Sequence, residues 1–215
     1  MPKTETLQRM VNPGIIAILR AHSSAGLMEA VEALLEGGIA TMEVTLTTPD
    51  ALSVIREARA RFGSQLLMGV GSVIDEAGAQ SAVDEGAQFV VTPVTKPGVV
   101  GLCNRLSVPI ACGAFTPTEA LLAHESGADF VKIFPADQVG PVYLKNLLAP
   151  LPMLRLIPTG GVTPENAREF LKAGAVALGI GSNLVSRAVL EARDWAGLRA
   201  AAERFVEAVR PESGA

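Results

Sequence analysis

Short apolar runs alternate with longer amphipathic stretches along the whole chain of 215 residues. The runs with the length and composition of buried strands are Ile15–Arg20, Met42–Leu46, Leu66–Val70, Phe89–Thr92, Pro109–Cys112, Phe130–Phe134, Arg155–Thr159 and Ala177–Ile180. The stretches between them have the apolar spacing of helices, as in Gly26–Glu36, Ala51–Phe62 and Thr118–Ser126. Strands that alternate with helices predict repeated βαβ units and a parallel sheet. Eight such units in about 200 residues fit a (β/α)8 TIM barrel, which can close at this length.

A glycine-led tripeptide precedes every second predicted strand, so it repeats with a period of two βα units. Its copies are Gly38-Ile39-Ala40, Gly86-Ala87-Gln88, Gly127-Ala128-Asp129 and Gly174-Ala175-Val176. A glycine at this point ends a helix in the left-handed conformation before the chain enters a buried strand. We therefore predict one (β/α)8 barrel domain over residues 1–215, with a short N-terminal helix and a loose tail at Pro211–Ala215. An open, doubly wound sheet is the alternative fold.

The composition narrows the classes of partner. Apolar residues make up 49% of the chain, enough for a large core, and the net charge is −4. Aromatic residues are only 4% and no basic stretch is present, so we expect no nucleic-acid partner. The sequence has no apolar run of about 18 residues, and residues 1–13 lack the apolar segment of a signal peptide. We therefore expect no membrane partner.

Cysteine and histidine are both scarce in this chain. Cys103 and Cys112 do not form a CxxC pair, and this usage is typical of the reducing cytoplasm, where we expect the protein. His22 and His124 lie far apart in the sequence, so we expect no metal site.

A lysine lies inside the sixth predicted strand, Phe130-Val131-Lys132-Ile133-Phe134. Because side chains alternate between the faces of a strand, Lys132 shares one face with the two phenylalanines. Val131 and Ile133 suit the helix side of a barrel, so we predict that Lys132 points into the barrel. Burial favours a free amine over an ammonium ion, and a free amine can attack a ketone to form an iminium. The alternative is a lysine at a strand end whose ammonium group reaches solvent.

The second predicted strand carries three polar residues on one face: Thr41, Glu43 and Thr45. The apolar residues between them face the helices, so Glu43 is expected inside the barrel near Lys132. A carboxyl group whose pKa is raised by desolvation is suited to moving protons in Schiff-base chemistry. The alternative is a structural role for Glu43, as the partner of an inward lysine or arginine.

Glycine-rich turns follow the last two predicted strands, at Gly160-Gly161 and Gly181-Ser182. The loops after strands 7 and 8 form the phosphate site of many (β/α)8 barrels. The N–H groups of these turns, the Ser182 hydroxyl and the N-terminus of the following helix are suited to hold a phosphate. The alternative is that these glycines only make tight turns.

Together these motifs resemble the 2-keto-3-deoxy-6-phosphogluconate aldolase family, and the resemblance covers nearly the whole chain. The segments that carry it are Ile15–Arg20, Glu43–Leu46, Val131–Ala136, Pro158–Asn166 and Gly179–Ser182. The resemblance implies a class I aldolase, which cleaves the phosphorylated keto-deoxy sugar acid to pyruvate and glyceraldehyde 3-phosphate through a lysine Schiff base. It also implies a homotrimer that uses no metal and no organic cofactor.

The resemblance also assigns site residues. Lys132 corresponds to the Schiff-base lysine and Glu43 to the proton shuttle. The phosphate-binding residues that it implies are Gly160, Gly161, Gly181 and Ser182. The substrate-binding residues that we predict are Arg20, Thr45, Thr47, Ser72, Pro93, Phe134 and Thr159.

The chain departs from the family where the substrate carboxylate binds. Thr47 stands where some members carry an arginine for this carboxylate, so Arg20 is the predicted clamp instead. Ser72 stands where the family has a threonine, and it keeps the hydroxyl. We therefore leave open two related substrates, 2-dehydro-3-deoxy-6-phosphogalactonate and 4-hydroxy-2-oxoglutarate. A phosphate-ester isomerase or synthase, or a sugar-phosphate-binding barrel without catalysis, would not need the amine of Lys132.

Overall fold

Eight parallel strands form one sheet in the computed structural model of the chain, which describes residues 1–210. The strands are β1 (Ile15–Leu19), β2 (Thr41–Thr45), β3 (Leu67–Gly71), β4 (Val90–Val91), β5 (Ile110–Ala114), β6 (Phe130–Ile133), β7 (Leu156–Pro158) and β8 (Leu178–Ile180). Each strand pairs with the next along the chain up to β7, and β1 also pairs with β8. Isolated β-bridges at Leu156–Ala175 and Thr159–Gly179 join the region of β7 to that of β8 and so close the sheet into a barrel. The (β/α)8 TIM barrel is therefore confirmed, and the open, doubly wound alternative is wrong.

Ten α-helices accompany the strands within residues 1–210. They are α1 (Lys3–Val11), α2 (Leu27–Glu36), α3 (Ala51–Phe62), α4 (Glu76–Asp84), α5 (Pro97–Arg105), α6 (Pro117–Glu125), α7 (Gly140–Leu148), α8 (Pro164–Lys172), α9 (Arg187–Ala192) and α10 (Trp195–Val209). The predicted limits of strands and helices differ from these by no more than two residues. The predicted tail, Pro211–Ala215, lies outside the described residues. None of the helices within residues 1–210 is long and apolar enough to cross a membrane.

The glycines of the repeated tripeptides end helices as the repeat predicts. Their φ angles lie between 88° and 102° at Gly38, Gly86, Gly127 and Gly174. The N–H of the residue after each glycine donates to a carbonyl five residues earlier, as from Ile39 to Leu34, which is the Schellman arrangement. The repeat in the sequence is therefore a repeated helix cap, and each copy leads the chain into an even-numbered strand.

Two apolar layers pack on the two faces of the sheet. The outer layer lies between the strands and the helices, and the inner layer fills one end of the barrel. The inner layer consists of buried Met10, Ile16, Leu67, Phe89, Val91, Ala111, Phe130, Ile157 and Ala177. Met10 comes from α1, and the carbonyl of its neighbour Arg9 accepts a hydrogen bond from Thr41 of β2. Helix α1 therefore closes this end of the barrel.

Candidate active site

Lys132 and Glu43 meet inside the barrel. Lys132 lies in β6 and Glu43 in β2, and their side chains are 9% and 2% exposed. Val131 and Ile133 pack in the outer layer, so Lys132 points inward, as the alternation predicts. Its Nζ lies 3.8 Å from Glu43 Oε1. The alternative, a strand-end lysine whose ammonium group reaches solvent, is wrong.

A glycine on the neighbouring strand gives the Glu43 carboxyl group its space, because a Cβ atom at Gly71 of β3 would collide with Oε1. Within the described residues this oxygen is buried and has no hydrogen-bond partner. Burial raises the pKa of Glu43, and the positive charges of Lys132 and Arg20 oppose the shift. A carboxyl group in this position is suited to exchanging protons with a bound molecule.

Lys132 lines a cavity of about 660 Å³. The predicted site residues that line it are Arg20, Thr47, Lys132, Phe134, Thr159, Gly160, Gly161, Gly181 and Ser182. Most of them directly follow a strand, so the cavity lies at the C-terminal ends of the strands, where (β/α)8 enzymes hold their active sites. The centre of the Phe134 ring lies 5.5 Å from Lys132 Nζ. Glu43 lines a much smaller cavity inside the barrel, which it shares with Lys132 and Thr159.

The two glycine turns form one wall of the large cavity. Gly160 and Gly161 have φ angles of 99° and 70°, which side chains rarely adopt. Within residues 1–210, the backbone N–H groups of Gly161, Gly181 and Ser182 donate to no protein oxygen. Unpaired N–H groups on a cavity wall are suited to binding the oxygens of a phosphate.

The first residue of the helix that follows β8, Arg187, lines the same cavity. Helix α9 begins at Arg187, after a turn in which the Gly181 carbonyl accepts hydrogen bonds from the N–H groups of Leu184 and Val185. Ser186 caps α9 by accepting a hydrogen bond from the N–H of Val189. The N–H groups of the turn lie ahead of this helix, and a contribution of the helix N-terminus to a phosphate site stays a prediction.

Arg20 follows β1 and supplies a positive charge to the cavity. Its Nη2 donates to Ser72 Oγ, 3.4 Å away, and Ser72 has a φ of 59°. Because this partner is a neutral hydroxyl, the guanidinium keeps its capacity to bind a carboxylate. Ser72 thus contacts the predicted clamp rather than the cavity.

Two further predicted substrate contacts lie outside the cavity wall. Thr45 is fully buried, and its hydroxyl bonds to the hydroxyls of Thr47 at 2.9 Å and Thr48 at 3.2 Å. The backbone of Pro93 packs closely against Gly113 of β5. Neither residue lines the cavity of Lys132, and contacts of Thr45 and Pro93 with the substrate stay predictions.

Two asparagines near the glycine turns were not identified from the sequence. Asn166 Nδ2 donates to the Gly161 carbonyl at 2.9 Å, and Asn183 Nδ2 donates to the Val162 carbonyl at 2.8 Å. The sequence does contain a signal for Asn166, because Thr163-x-x-Asn166 is a capping box at the start of α8. Its bond to Gly161 depends on how the loop folds back, which residue spacing does not show.

Comparisons with known proteins agree with this geometry. A sequence profile of the aldolases described as "KDPG and KHG aldolase" matches residues 7–201. The 2-dehydro-3-deoxy-phosphogluconate aldolase of Pseudomonas aeruginosa is 32% identical over 198 residues, which cover 90% of each chain. The 2-dehydro-3-deoxy-6-phosphogalactonate aldolase of Escherichia coli is 33% identical over 171 residues, covering 79% of this chain and 83% of the relative. A solved KDPG aldolase from Legionella pneumophila, with pyruvate captured at low pH as a covalent carbinolamine intermediate, superposes with a TM-score of 0.84. It is 25% identical, and the match covers 94% of this chain and 98% of that one.

Proposed function

The chain belongs to the KDPG and KHG aldolase family, and from this premise we propose its substrate and the roles of its residues. It is a class I aldolase, a carbon–carbon lyase that converts 2-keto-3-deoxy-6-phosphogluconate to pyruvate and glyceraldehyde 3-phosphate. The observation that carries the proposal is the buried pair of Lys132 Nζ and Glu43 Oε1, 3.8 Å apart beside an open cavity. A Schiff-base mechanism requires an amine as nucleophile and a nearby group that moves protons.

The first half of the reaction forms the covalent intermediate. The free amine of Lys132 adds to the C2 carbonyl of the substrate, and the new C–N bond gives a carbinolamine. Glu43 donates a proton to the C2 hydroxyl, which leaves as water, and an iminium ion remains on Lys132. Burial favours the protonated form of Glu43, which suits it to this donation because its pKa is raised.

The second half breaks the C3–C4 bond. Glu43, now a carboxylate, accepts the proton of the C4 hydroxyl while the C3–C4 electron pair moves into the iminium, and the aldehyde leaves. Glu43 then protonates C3 of the enamine. Water hydrolyses the iminium to release pyruvate and the amine of Lys132, and the proton set free in this step returns to Glu43. These steps use only side chains and water, so we propose that the reaction needs no metal and no organic cofactor. Dialysis against a chelator should leave kcat unchanged.

The two ends of the substrate have different partners. We assign the C1 carboxylate to Arg20, because a guanidinium can bind a carboxylate through two parallel hydrogen bonds. We assign the phosphate to the N–H groups of Gly161, Gly181 and Ser182, which are free to donate within the described chain. Between these ends, Thr47 lines the cavity and is the hydroxyl that we assign to the C4 side of the substrate.

The preference between C4 epimers is the finest part of the proposal. The Thr47 hydroxyl can donate to or accept from either epimer, so both 6-phosphogluconate and 6-phosphogalactonate keto-deoxy acids should be cleaved. We expect the gluconate form to be preferred by about tenfold or less, roughly 1.4 kcal/mol. Parallel measurements of catalytic efficiency on the two epimers and on 4-hydroxy-2-oxoglutarate test this. A preference above about a thousandfold would reveal a dedicated C4 contact.

Borohydride trapping tests the nucleophile directly. Incubation with pyruvate and borohydride should inactivate the protein and add one reduced pyruvyl group to the peptide that contains Lys132. The exposed Lys145 of α7 is the internal control and should stay unmodified. Label on another lysine, or continued cleavage without label, would contradict the proposal. A phosphate-ester isomerase or a binding barrel without catalysis would give no label.

We also propose that the protein is a homotrimer in the cytoplasm. The large apolar residues Ile74, Val94, Phe115 and Val142 follow the consecutive strands β3 to β6 and are between 40% and 68% exposed. Exposed apolar residues on neighbouring segments are typical of a subunit contact. Analytical ultracentrifugation should show a trimer, and Val142→Glu should produce a smaller species. The cysteines of the described residues are buried and free, which suits a reducing compartment.

A further inference from the structure

Two side-chain amides hold the glycine turn that follows β7. Asn166 lies in α8, and its Nδ2 donates to the Gly161 carbonyl at 2.9 Å. Asn183 lies in the turn after β8, and its Nδ2 donates to the Val162 carbonyl at 2.8 Å. Two successive carbonyls of one short segment are therefore held from two different elements of the barrel.

These bonds restrict a segment that contains two adjacent glycines. Gly160 and Gly161 both have positive φ, and adjacent glycines have more accessible backbone conformations than any other pair of residues. A peptide group is planar, so holding the Gly161 carbonyl fixes the plane that joins Gly161 to Val162. Asn166 Oδ1 also accepts a hydrogen bond from the Thr163 N–H, which fixes the plane after Val162. The N–H of Gly161 lies in the peptide plane before these two, and with the Gly161 carbonyl held it can move only by rotation about the bonds of the Gly161 Cα.

We propose that Asn166 and Asn183 are positioning residues that preorganise the Gly160–Val162 segment for the phosphate of the substrate. The inference rests on the proposed function of the cavity. Ordering a flexible loop at the moment of binding reduces affinity, and these bonds supply that order in advance. Asn183 additionally joins the turn after β7 to the turn that contains Gly181 and Ser182, so the two sets of N–H groups keep one relative position.

The two asparagines differ in a way that makes the inference testable. Asn183 lines the cavity, so its own side chain is within reach of a ligand. Asn166 lies behind the turn, outside the cavity wall, so an effect of Asn166 on phosphate affinity has to pass through Gly161. If the two asparagines position the turn, replacing either one should weaken phosphate binding. If Asn183 instead contacts the phosphate directly, only its replacement should do so.

The experiment compares Asn166→Ala and Asn183→Ala with wild type. Each variant should raise the Kd of inorganic phosphate, measured by calorimetry, by about three- to tenfold, the effect of one lost hydrogen bond. The KM for the phosphorylated substrate should rise by a similar factor. Catalytic efficiency toward 4-hydroxy-2-oxoglutarate, which has no phosphate, should stay within about twofold of wild type. Asn183→Gln keeps an amide donor and should recover part of the affinity.

Asn104→Ala is the matched control. Asn104 Nδ2 donates to the Gly127 carbonyl at 3.1 Å, the same kind of bond at the opposite end of the barrel, and its loss should leave the phosphate Kd unchanged. An unchanged Kd in Asn166→Ala, or equal losses on both substrates, would overturn the positioning role. Pyruvate trapping on Lys132 involves no phosphate and should persist in every variant. Absence of trapping in wild type would refute the proposed function, whereas calorimetry would still decide the positioning role.

Discussion

The two ends of the barrel interior are built from the same face of the same strands, yet their chemistry is opposite. In β6, Phe130 belongs to the apolar layer at the closed end, and Lys132, two positions further, lines the open cavity. In β2, Thr41 contacts α1, and Glu43, two positions further, pairs with Lys132. On each strand, the residue that packs at the closed end and the residue that lies at the reactive site are two positions apart, which is about 6.6–6.8 Å.

The difference between the ends shows how one barrel carries both stability and reactivity. The closed end buries large apolar side chains such as Met10 and Phe130. The open end holds features that cost free energy, including a buried carboxyl oxygen without a hydrogen-bond partner in the described chain and the positive φ of Ser72. Substitutions at the open end should therefore change the reaction, and substitutions at the closed end should change the free energy of unfolding.

The largest effect is expected at Lys132. Lys132→Ala should abolish cleavage and trapping because no amine remains to form the Schiff base. Lys132→Arg should fail equally, because a guanidinium group stays protonated. The assay is release of pyruvate, with circular dichroism to confirm the fold and Lys145→Ala as the exposed control. Activity retained in either Lys132 variant would remove the proposed nucleophile.

The second effect is expected at Glu43. Glu43→Gln keeps the shape of the side chain but cannot exchange a proton, so kcat should fall by about 10²–10⁴. Steady-state kinetics and urea unfolding on the same preparation separate chemistry from stability. A kcat close to that of wild type would make Glu43 a structural partner of Lys132, the alternative raised by the sequence.

The third effect tests the closed end. Phe130→Ala should lower the free energy of unfolding by about 3–5 kcal/mol, because it opens a cavity in a fully packed layer. The kcat of the folded fraction should stay close to that of wild type, since the reacting groups lie two positions away. Phe130→Leu should lower stability less, and it replaces the alanine variant if that chain does not fold. A selective fall in kcat without loss of stability would contradict the division between the ends.

The fourth effect concerns the glycine turns, the part of the open end to which we assign the phosphate. Ser182→Asp places a negative charge on the phosphate wall and should raise KM for the phosphorylated substrate by about tenfold or more. Gly161→Val should act in the same direction, because the φ of 70° disfavours valine and its Cβ would collide with Asp137. The matched control is Ser186→Asp, which adds the same charge but keeps an N-cap for α9. Equal losses on 4-hydroxy-2-oxoglutarate would mean that these turns serve folding only.

The smallest effect is the pH dependence of stability. Burial raises the pKa of Glu43 above its ordinary value of 4.5, so the folded protein binds this proton more tightly than the unfolded chain. Relative to Glu43→Gln, the free energy of unfolding of wild type should be greatest below pH 4.5 and should fall as the pH rises through the raised pKa. Urea unfolding of both proteins across this range measures the difference. A difference that grows with pH would mean that Lys132 and Arg20 outweigh burial.

The sequence predicts the barrel and the orientation of its central residues because both depend on local periodicity. The alternation in β6 separates Lys132 from Val131 and Ile133, and the glycine caps mark the entries to the even-numbered strands. Two-residue periodicity determines the face on which a side chain lies. It does not determine which hydroxyl or carbonyl that side chain meets at the end of a strand. Thr45 is the example, since it lies inward as predicted but bonds to Thr47 and Thr48.

The sequence by itself therefore determined the (β/α)8 class, the inward lysine and carboxyl group, and the glycine turns after the last two strands. Only the tertiary structure decided the 3.8 Å separation of Lys132 and Glu43, the pairing of Arg20 with Ser72, and the hydrogen bonds of Asn166 and Asn183 at the turns. The physical reason is that contacts between strands depend on their stagger around the closed barrel, which links residues far apart in the chain. No local pattern of polar and apolar positions records that stagger.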